Sequence, residues 1–291
     1  MTVAAGPFLG IDWGTTNRRV FRIEGGAVVE TARDARGATA VQDYPGEIAQ
    51  IRARFGDLPM LLAGMVGSTV GWRAVPYVEA PAGLEELAAA IEPVAPRVAI
   101  VPGVAWRDGS RGDVMRGEEV QLLGAVASGM VPADSLLAQP GTHCKWATMA
   151  DGRIARFTTA MTGELFALLR KHSLLASQLV DEADDGPAFR EGVAEGARRD
   201  LAASLFGIRA AGVLGLRDDS EAAAFASGVL IGADVAARLT EFAGRTVYVL
   251  ADAKLGGLYV AAVESLGGAA VMVDTHAAFV AGIVRLWELA A

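Results

Sequence analysis

The sequence predicts an α/β protein whose two lobes are built on a duplicated strand-turn-strand unit. The first copy occupies residues 8–31, and a second copy of its turn pattern returns at residues 136–159. Predicted helices and strands alternate towards the end of the chain, which is typical of helices packed on a sheet. The 291 residues exceed the usual length of one domain. We therefore expect lobes at residues 1–131 and 132–291, with the last helix able to pack back on the first lobe.

The first copy places a polar turn between two apolar strands. Residues 10–19 read Gly-Ile-Asp-Trp-Gly-Thr-Thr-Asn-Arg-Arg, and residues 27–31 can add a third strand. Such a turn suits the phosphates of a nucleotide, because Gly14 lets the backbone approach an anion while hydroxyl and N–H groups donate to it. Arg18 would balance charge, and Asp12 could hold Mg²⁺. The alternative is an ordinary hairpin whose polar residues only satisfy the turn.

The second copy weakens that alternative. At one fixed offset the matches are Gly14 with Gly141, Thr15 with Thr142, Arg18 with Lys145, and Glu24-Gly25 with Asp151-Gly152. Asp12 is replaced by Gln139, so only the first turn offers a metal-binding carboxylate. We therefore expect one asymmetric nucleotide site clamped by two loops, at which His143 can also contact phosphate.

The remaining elements follow from hydrophobic periodicity and from Gly and Pro positions. Predicted helices occupy residues 47–55, 84–91, 118–128, 162–180, 189–205, 221–242, 254–265 and 275–289. Predicted strands after the first hairpin occupy residues 60–63, 98–101, 246–250 and 270–273. Glycine-rich loops are expected at 64–72 and 109–112, and a charged, solvated loop at 181–185.

Composition and charge exclude several classes of protein. Hydrophobic residues make up 52% of the chain, but its uncharged stretches are short and interrupted, so we expect no membrane-spanning helix. No secretion signal is recognisable, and the one cysteine, Cys144, precludes an intramolecular disulfide; both favour the cytoplasm. A net charge of −8 argues against a nucleic-acid partner. Neither a P-loop nor a dinucleotide-binding glycine pattern occurs in the sequence. Homo-oligomerisation is left open.

Five segments together resemble one family. They are residues 12–17 (Asp-Trp-Gly-Thr-Thr-Asn), 64–68 with Gly71-Trp72, 113–119 (Asp-Val-Met-Arg-Gly-Glu-Glu), 140–146 (Pro-Gly-Thr-His-Cys-Lys-Trp), and 157–159 with 161–166. The two turns resemble the phosphate loops of the sugar kinase, actin and heat-shock chaperone ATPase superfamily. Within it, the chain resembles the 2-dehydro-3-deoxygalactonokinases, although Cys144 stands where a serine is expected and Ala251 where a glycine is expected.

The resemblance implies a duplicated actin-like ATPase fold, which is ribonuclease H-like, with two lobes around a nucleotide cleft. It also implies ATP-dependent phosphorylation of the 6-hydroxyl of 2-dehydro-3-deoxy-D-galactonate in galactonate degradation, with ATP and Mg²⁺ as cofactors and no membrane partner. The alternatives are a kinase for another sugar acid or sugar, a non-kinase ATPase of the superfamily, and a sugar-responsive regulator. We expect neither the appended peptide-binding domain nor the DNA-binding domain that the last two would carry.

The predicted site combines four groups of residues. The catalytic group is Asp12, Asp113 and Glu118, with Asp12 also the metal ligand. The phosphate-binding group is Gly14, Thr15, Thr16, Asn17, Arg18, Gly141, Thr142, His143 and Lys145. The substrate-binding group is Met65, Ser68, Trp72, Tyr77 and Arg116. The adenosine-binding group is Gly228, Asp252, Gly256 and Gly257.

Three acids compete for the role of catalytic base. Asp113 is predicted to lie in the turn of Gly109-Ser110-Arg111-Gly112, where it could instead hydrogen-bond its own backbone. Glu118 and Glu119 stand at a predicted helix start, where the helix N-terminus favours an ionised carboxylate. Glu119 projects about 100° around the helix from Glu118, and Gly117 leaves the approach to Glu118 open. Glu118 is therefore preferred, and the alternative is that all three only decorate a helix start or a turn.

Overall fold

The fold begins with the predicted hairpin. In the computed structural model, which describes residues 6–290, the strands are β1 (Phe8–Trp13), β2 (Arg18–Glu24), β3 (Ala27–Asp34), β4 (Met60–Ala63), β5 (Val78–Glu79), β6 (Glu92–Ala95), β7 (Val98–Ile100), β8 (Val104–Asp108), β9 (Arg111–Met115), β10 (Leu136–Gln139), β11 (Cys144–Ala150), β12 (Arg153–Ala160), β13 (Thr246–Ala251) and β14 (Ala269–Asp274). The helices are α1 (Tyr44–Phe55), α2 (Leu84–Ala89), α3 (Glu118–Ala127), α4 (Thr162–His172), α5 (Pro187–Gly196), α6 (Leu201–Val213), α7 (Asp219–Glu241), α8 (Ala253–Ser265) and α9 (Thr275–Leu289).

Two sheets share one strand order over five strands, and the first sheet has a sixth strand at its edge. The first is β3-β2-β1-β4-β7-β6 and the second is β12-β11-β10-β13-β14. In each, three consecutive strands lie side by side, and the next strand of the sheet runs parallel to the first of the three. Gly14 lies between β1 and β2, and Gly141 lies between β10 and β11. The predicted equivalence of residues 8–31 and 136–159 is therefore confirmed.

β1 places one carboxylate at the edge of an apolar sheet. Leu9, Ile11 and Trp13 have no exposed surface, as expected of a central strand covered on both faces. A Cβ added at Gly10 would lie 3.0 Å from a methyl group of Ile283, so α9 packs directly on this strand. Asp12, the only charged residue of β1, stands near its carboxyl end.

The chain divides into two compact units that a single cut does not separate. Unit 1 runs to Asp134 and also includes Thr148–Phe157 and the chain from Thr275; unit 2 comprises Ser135–Ala147 and Thr158–Asp274. A boundary at residue 131 therefore differs from the structure. The reason is that the β11–β12 turn returns to unit 1, where Ala82 and Ile154 exchange backbone hydrogen bonds of 3.1 and 2.8 Å, and that α9 packs on α3.

Two helix pairs cross in backbone contact through glycine. A Cβ added at Gly192 of α5 or Gly228 of α7 would stand 2.2 or 2.1 Å from a backbone oxygen of the other helix. In unit 1, a Cβ at Gly124 of α3 or Gly282 of α9 would stand 2.0 Å from a backbone oxygen of its partner. The assignment of Gly228 to adenosine binding is thus corrected, because this glycine is used for helix packing.

α7 is a core helix of unit 2. Among residues 6–290 it is the one helix long and apolar enough to cross a membrane by length and composition, and 56% of its apolar window is buried. No stretch apolar enough to span a membrane was predicted from the sequence. The length and apolarity of α7 are accounted for by its packing against α4, α5, α6 and α8.

The structure differs from the predicted elements in three further places. Residues 189–205 form parts of two helices, α5 and α6, separated where Arg199 adopts a φ of 64°. The helix predicted to reach Val180 ends at His172. β5, β8 and β9 form a small third sheet around the predicted turn at 109–112. Strands this short and polar carry little periodicity, which explains why the sequence did not predict them.

Candidate active site

Asp12 faces a cation across the first hairpin. It lies opposite Arg19 in the β1–β2 register and next to Ala63, the last residue of β4. Its Oδ2 is 3.7 Å from Nη1 of Arg19, and its side chain is 22% exposed. Arg19, which was not among the predicted site residues, is therefore the charge partner of the predicted metal ligand.

The N-terminus of α3 approaches the same end of the sheet. Gly117, with a φ of 110°, precedes the helix, and a Cβ there would lie 3.1 Å from Cα of Gly64, just after β4. Only glycine combines this φ with so close an approach. The carboxylates of Glu118 and Glu119 are thereby brought to the region of Asp12, whose pKa responds to the charge of Glu118.

These carboxylates differ in their environment. Burial raises the pKa of Asp12 to about 6; Arg19 opposes this shift and Glu118 adds to it. Glu119 has no exposed surface, and both its oxygens accept from the N–H of Gly117, at 2.8 and 2.7 Å. Burial, and then the charge of Glu118, raise the pKa of Glu119 to about 8, so it is neutral at pH 7. Glu118 is partly exposed and accepts from the N–H of Arg116 at 3.0 Å.

Asp113 lies in a strand and not in a turn. It belongs to β9, opposite Trp106 of β8, and its carboxylate accepts from the N–H of Val114 at 2.8 Å. The turn itself is shorter than predicted and occupies only residues 109–110, because β9 already begins at Arg111. This hydrogen bond is local, between neighbouring residues of one strand, and we therefore prefer Glu118 as the acid.

The first loop presents its polar side chains to solvent. Thr15, Thr16 and Asn17 are exposed, and the N–H of Gly14 donates to the carbonyl of Asn17 at 3.0 Å. A Cβ at Gly37 would lie 2.2 Å from the carbonyl oxygen of Thr15, so the following segment supports the loop from behind. The segment around Gly37 therefore packs on one side of the loop, and the polar side chains of the loop face solvent on the other.

Arg18 belongs to that support and not to the open face. Its side chain is 6% exposed and pairs with Asp34 at 2.7 Å and Glu47 at 2.8 Å. Its guanidinium also lies 4.8 Å from the ring centroid of Trp13, and Arg36 pairs with Glu47 as well. The assignment of Arg18 to phosphate binding is corrected, because two buried or partly buried carboxylates already hold it.

The second loop lies against the N-terminus of α4. The N–H of Glu164 donates to the carbonyl of Thr142 at 2.8 Å, and a Cβ at Gly163 would lie 2.3 Å from the carbonyl oxygen of Gly141. Nε2 of His143 is 2.6 Å from Oε2 of Glu164. Gly141 and Thr142 themselves are exposed, so their groups are available to an anion.

Lys145 lies behind this loop. It is 6% exposed, and its ammonium donates to Oγ1 of Thr159 in β12 at 2.8 Å. Cys144 is fully buried in the core of unit 2. The phosphate-binding role predicted for Lys145 stays a prediction, and Cys144 belongs to the core of unit 2 and not to the loop surface.

Two adjoining cavities in unit 2 extend from the second loop. The smaller, of about 50 Å³, is lined by Gly141, Thr162, Gly163, Phe166, Ser227, Leu230, Ile231, Leu255 and Tyr259. The larger, of about 340 Å³, shares Phe166, Ser227 and Leu255 and adds Arg170, Glu182, Ala183, Asp252, Lys254 and Leu258. An apolar pocket beside a phosphate loop suits a nucleoside.

Of the predicted adenosine-binding residues, only Asp252 lines these cavities. Its carboxylate caps α8 by accepting from the N–H groups of Lys254 and Leu255, each at 3.1 Å. Gly256 packs against Met272, where an added Cβ would lie 2.4 Å from the methyl group. Gly257 lines neither cavity. Gly256 is thus corrected to a packing residue, made necessary by the close approach of β14.

The predicted substrate residues separate into two groups. Arg116 is 8% exposed, donates to the carbonyl of Val75 at 2.6 Å, and stacks 4.3 Å from the ring centroid of Tyr77. Ser68 donates to the carbonyl of Met65 at 2.7 Å in the turn that follows β4. Trp72 instead stacks on Tyr44 at 5.7 Å and packs against the core. Trp72 is thus partly buried against the core of unit 1, and its predicted contact with the substrate stays a prediction.

Comparisons with known proteins extend over nearly the whole chain. The family model of 2-keto-3-deoxy-galactonokinase matches residues 12–286. The chain is 34% identical over 282 residues to the 2-dehydro-3-deoxygalactonokinase of Escherichia coli (strain K12), covering 95% of this chain and 96% of that protein. It is 38% identical over 296 residues to a Rhizobium meliloti (strain 1021) protein assigned the same activity, covering 96% of each.

A solved structure agrees with these matches. The crystal structure of a Sinorhizobium meliloti protein, assigned as a 2-dehydro-3-deoxygalactonokinase, superimposes with a TM-score of 0.89 at 34% identity and covers 97% of this chain and 98% of that one. Together with the strand order common to both sheets, this likeness confirms the predicted fold class, a duplicated actin-like ATPase fold.

Proposed function

We propose, from the premise that the chain belongs to the 2-keto-3-deoxy-galactonokinase family, that Glu118 and Asp12 carry its phosphoryl transfer to the 6-hydroxyl of 2-dehydro-3-deoxy-D-galactonate. The chain is a kinase that phosphorylates the sugar acid with ATP. The observation that carries the assignment of the site is the pairing of Asp12 with Arg19 at the carboxyl end of β1, together with the close approach of Gly117, which precedes Glu118, to Gly64 after β4.

Glu118 is the proposed base. It would accept the proton of the 6-hydroxyl as that oxygen bonds to the γ-phosphorus, while the bond from this phosphorus to the β–γ bridging oxygen breaks and ADP leaves. Glu119 is unsuited to this role, because it is fully buried and both its oxygens accept from Gly117. Asp113 is a weaker candidate, because its carboxylate hydrogen-bonds within its own strand.

The residues near Asp12 fit a Mg²⁺ ion shared with phosphate. Among residues 6–290 no three His, Cys, Asp or Glu side chains form a metal cage. Mg²⁺ typically takes only one or two carboxylates and completes its shell with phosphate oxygens and water. Asp12 suits this role, because a neighbouring cation would offset the burial and the negative charge that raise its pKa. When bound, Mg²⁺ neutralises charge on the transferring phosphoryl group.

The nucleotide is assigned to residues of both loops and to the cavities of unit 2. Gly14, Thr15, Thr16 and Asn17 on the first loop, and Gly141, Thr142 and His143 on the second, are proposed to contact phosphate. The cavity lined by Phe166, Asp252 and Leu255 is proposed to hold adenosine.

Arg116 is the proposed partner of the substrate carboxylate. Its guanidinium is held by Val75 and Tyr77, and its Nη1 would lie 3.0 Å from a Cβ at Gly67. A fixed guanidinium suits a carboxylate. We place the reaction in galactonate degradation in the cytoplasm, with no nucleic-acid or membrane partner.

A coupled ADP-release assay tests the substrate. We expect the highest kcat/KM with 2-dehydro-3-deoxy-D-galactonate, a lower value with its 2-dehydro-3-deoxy-D-gluconate epimer, and none with galactose, which lacks the carboxylate. Phosphorus–proton coupling in the product should place the phosphate on C6. Preference for the neutral sugar or for the epimer, or a phosphate elsewhere, would contradict the proposal.

Asp12→Asn tests the metal assignment. The variant should fold normally but turn over at least about a hundredfold more slowly, because metal positioning is lost. The circular dichroism spectrum and the unfolding midpoint provide the control for the fold. Near-normal turnover at saturating Mg²⁺ would remove Asp12 from the site and leave the kinase assignment intact.

A further inference from the structure

We propose that Asp234 is a positioning residue of the second phosphate loop, fixing residues 140–143 against the N-terminus of α4 so that the loop binds the nucleotide phosphates. The inference rests on the proposed function, because it takes this loop to be a nucleotide site. Asp234 touches neither substrate nor nucleotide in this proposal and acts through the side chains that it holds.

The carboxylate of Asp234 gathers donors from three different elements. Nε1 of Trp146 in β11 lies 3.1 Å from each oxygen. Oγ1 of Thr162, the first residue of α4, donates to Oδ2 at 3.2 Å. The hydroxyl of Tyr259 in α8 donates to the same oxygen at 3.3 Å. An acid placed within a long apolar helix is costly unless its oxygens are satisfied, and here both are.

Two of these donors are the structural neighbours of the loop. Trp146 is 2% exposed and stands three residues after His143 in β11, so its position fixes where the loop rejoins the sheet. Thr162 is followed by Gly163, which packs on the carbonyl of Gly141, and by Glu164, which bonds both Thr142 and His143. Asp234 therefore connects the two structures between which the loop is held.

The third donor lies on the wall of the proposed nucleotide pocket. Tyr259 and Thr162 both line the small cavity beside Gly141. A shift of the Asp234 carboxylate would consequently move the loop and this wall together. Because the loop binds through backbone N–H groups with fixed directions, its affinity for phosphate depends on such alignment more than on any single contact.

The test compares Asp234→Asn with Val193→Ala. The asparagine keeps the size of the side chain but replaces an acceptor oxygen by a donor amide, which cannot accept from Trp146 or Thr162. Val193 is fully buried in the same core and belongs to none of these contacts, so Val193→Ala reports loss of stability alone. ADP affinity is measured by calorimetry, and KM is measured for ATP and for the sugar acid.

We expect Asp234→Asn to weaken ADP binding about tenfold and to raise the KM for ATP similarly, with the KM for the sugar acid within twofold of wild type. Val193→Ala should leave all three unchanged. Thr162→Val, which removes one donor and keeps the shape, should weaken ADP binding in the same direction, and the double variant should be less than additive with Asp234→Asn.

Other results would overturn the proposal. If Asp234→Asn lowers the unfolding temperature as Val193→Ala does but leaves ADP affinity intact, Asp234 only stabilises the core. If Asp234→Asn does not fold, Thr162→Val and Tyr259→Phe replace it as the test, because each removes one donor to Asp234. Unchanged ADP binding in both variants would contradict the positioning role of Asp234. Failure of the wild type to bind ADP would instead overturn the proposed nucleotide site.

Discussion

Three carboxyl side chains of unit 1 differ in their exposure and in their partners. Asp12 is partly exposed beside Arg19, Glu118 is partly exposed at the start of α3, and Glu119 is enclosed and bound to backbone. The pKa is raised to about 6 for Asp12 and to about 8 for Glu119. Such separation of roles between neighbouring acids is a pattern of active sites.

Glu118→Gln is expected to abolish most turnover while substrates still bind. The amide keeps the size and the hydrogen bond to the N–H of Arg116 but cannot take a proton, and general-base assistance is worth about 10² to 10⁴ in kcat. Stopped-flow turnover and ATP binding by calorimetry check both parts. Asp113→Asn is the comparison: if it is inactive while Glu118→Gln turns over normally, the base is Asp113.

Glu119 makes unfolding pH-dependent. Because its pKa is raised from 4.5 to about 8, the folded chain keeps a proton that the unfolded chain releases. Its stabilising contribution is therefore complete below pH 4.5 and is lost as the pH rises through about 8. Between about pH 5.5 and about pH 8, the free energy of unfolding should fall by about 3 kcal/mol more in the wild type than in Glu119→Gln.

Urea unfolding of both proteins at the two pH values measures this difference. Asp12 also titrates within the interval, but it is present in both proteins, so its effect cancels in the comparison. An equal pH dependence of the two proteins would show that Glu119 is not held neutral by the fold.

At the same scale, the sequence identified the turn but not which arginine faces the acid. Arg18 and Arg19 are adjacent, and successive side chains of a strand point to opposite faces. The register pairs Asp12 with Arg19, while Arg18 turns to Glu47 and Asp34. That choice depends on strand pairing and on a partner far along the chain, which the local pattern does not contain.

At the scale of elements, glycine decides how closely helices cross. Gly124 and Gly282 let α3 and α9 touch through their backbones in unit 1, and Gly192 and Gly228 do the same for α5 and α7 in unit 2. Gly228 was predicted to approach the ligand, because a glycine in a sequence indicates close approach of the backbone but does not identify what approaches it.

Gly282→Ala should destabilise the protein by about 2 to 4 kcal/mol, since the new Cβ would stand 2.0 Å from the carbonyl oxygen of Val120 and the helices must separate. The matched control is Gly207→Ala in α6, where an added Cβ meets nothing within 4 Å. Gly207→Ala should raise the free energy of unfolding by up to about 1 kcal/mol, because alanine has the higher helix propensity. Equal effects in urea unfolding would contradict the packing argument.

The elements that the sequence located best are the ones with strong periodicity. β4 and α9 begin and end at the predicted residues, because buried apolar runs and an amphipathic stripe define them. The break between α5 and α6 was not predicted, because an arginine such as Arg199 does not indicate a positive φ in the sequence. β9 was not predicted either, because its residues form a strand by pairing with β8, whereas its composition shows no strand pattern.

At the scale of the whole molecule, duplication made the fold predictable. One turn pattern, recognised twice, gave two sheets of the same strand order. The division of the chain into two units was harder to predict from the sequence. The end of β11, the beginning of β12 and the whole of α9 belong to unit 1 by tertiary contact alone. The copies differ at Asp12 and Gln139, so only the first turn carries a carboxylate at this position.

The isolated thiol of Cys144 has a practical consequence. It is the only cysteine of the chain, it has no exposed surface, and burial holds its pKa well above the ordinary range. An alkylating reagent can reach it only when the surrounding structure opens, so the labelling rate under native conditions reports the free energy of that opening. The labelling rate changes tenfold for each change of about 1.4 kcal/mol in this free energy. A nucleotide that binds only the closed form must slow the labelling in proportion to its saturation. The unmodified enzyme therefore carries its own mass-spectrometric reporter of ligand occupancy.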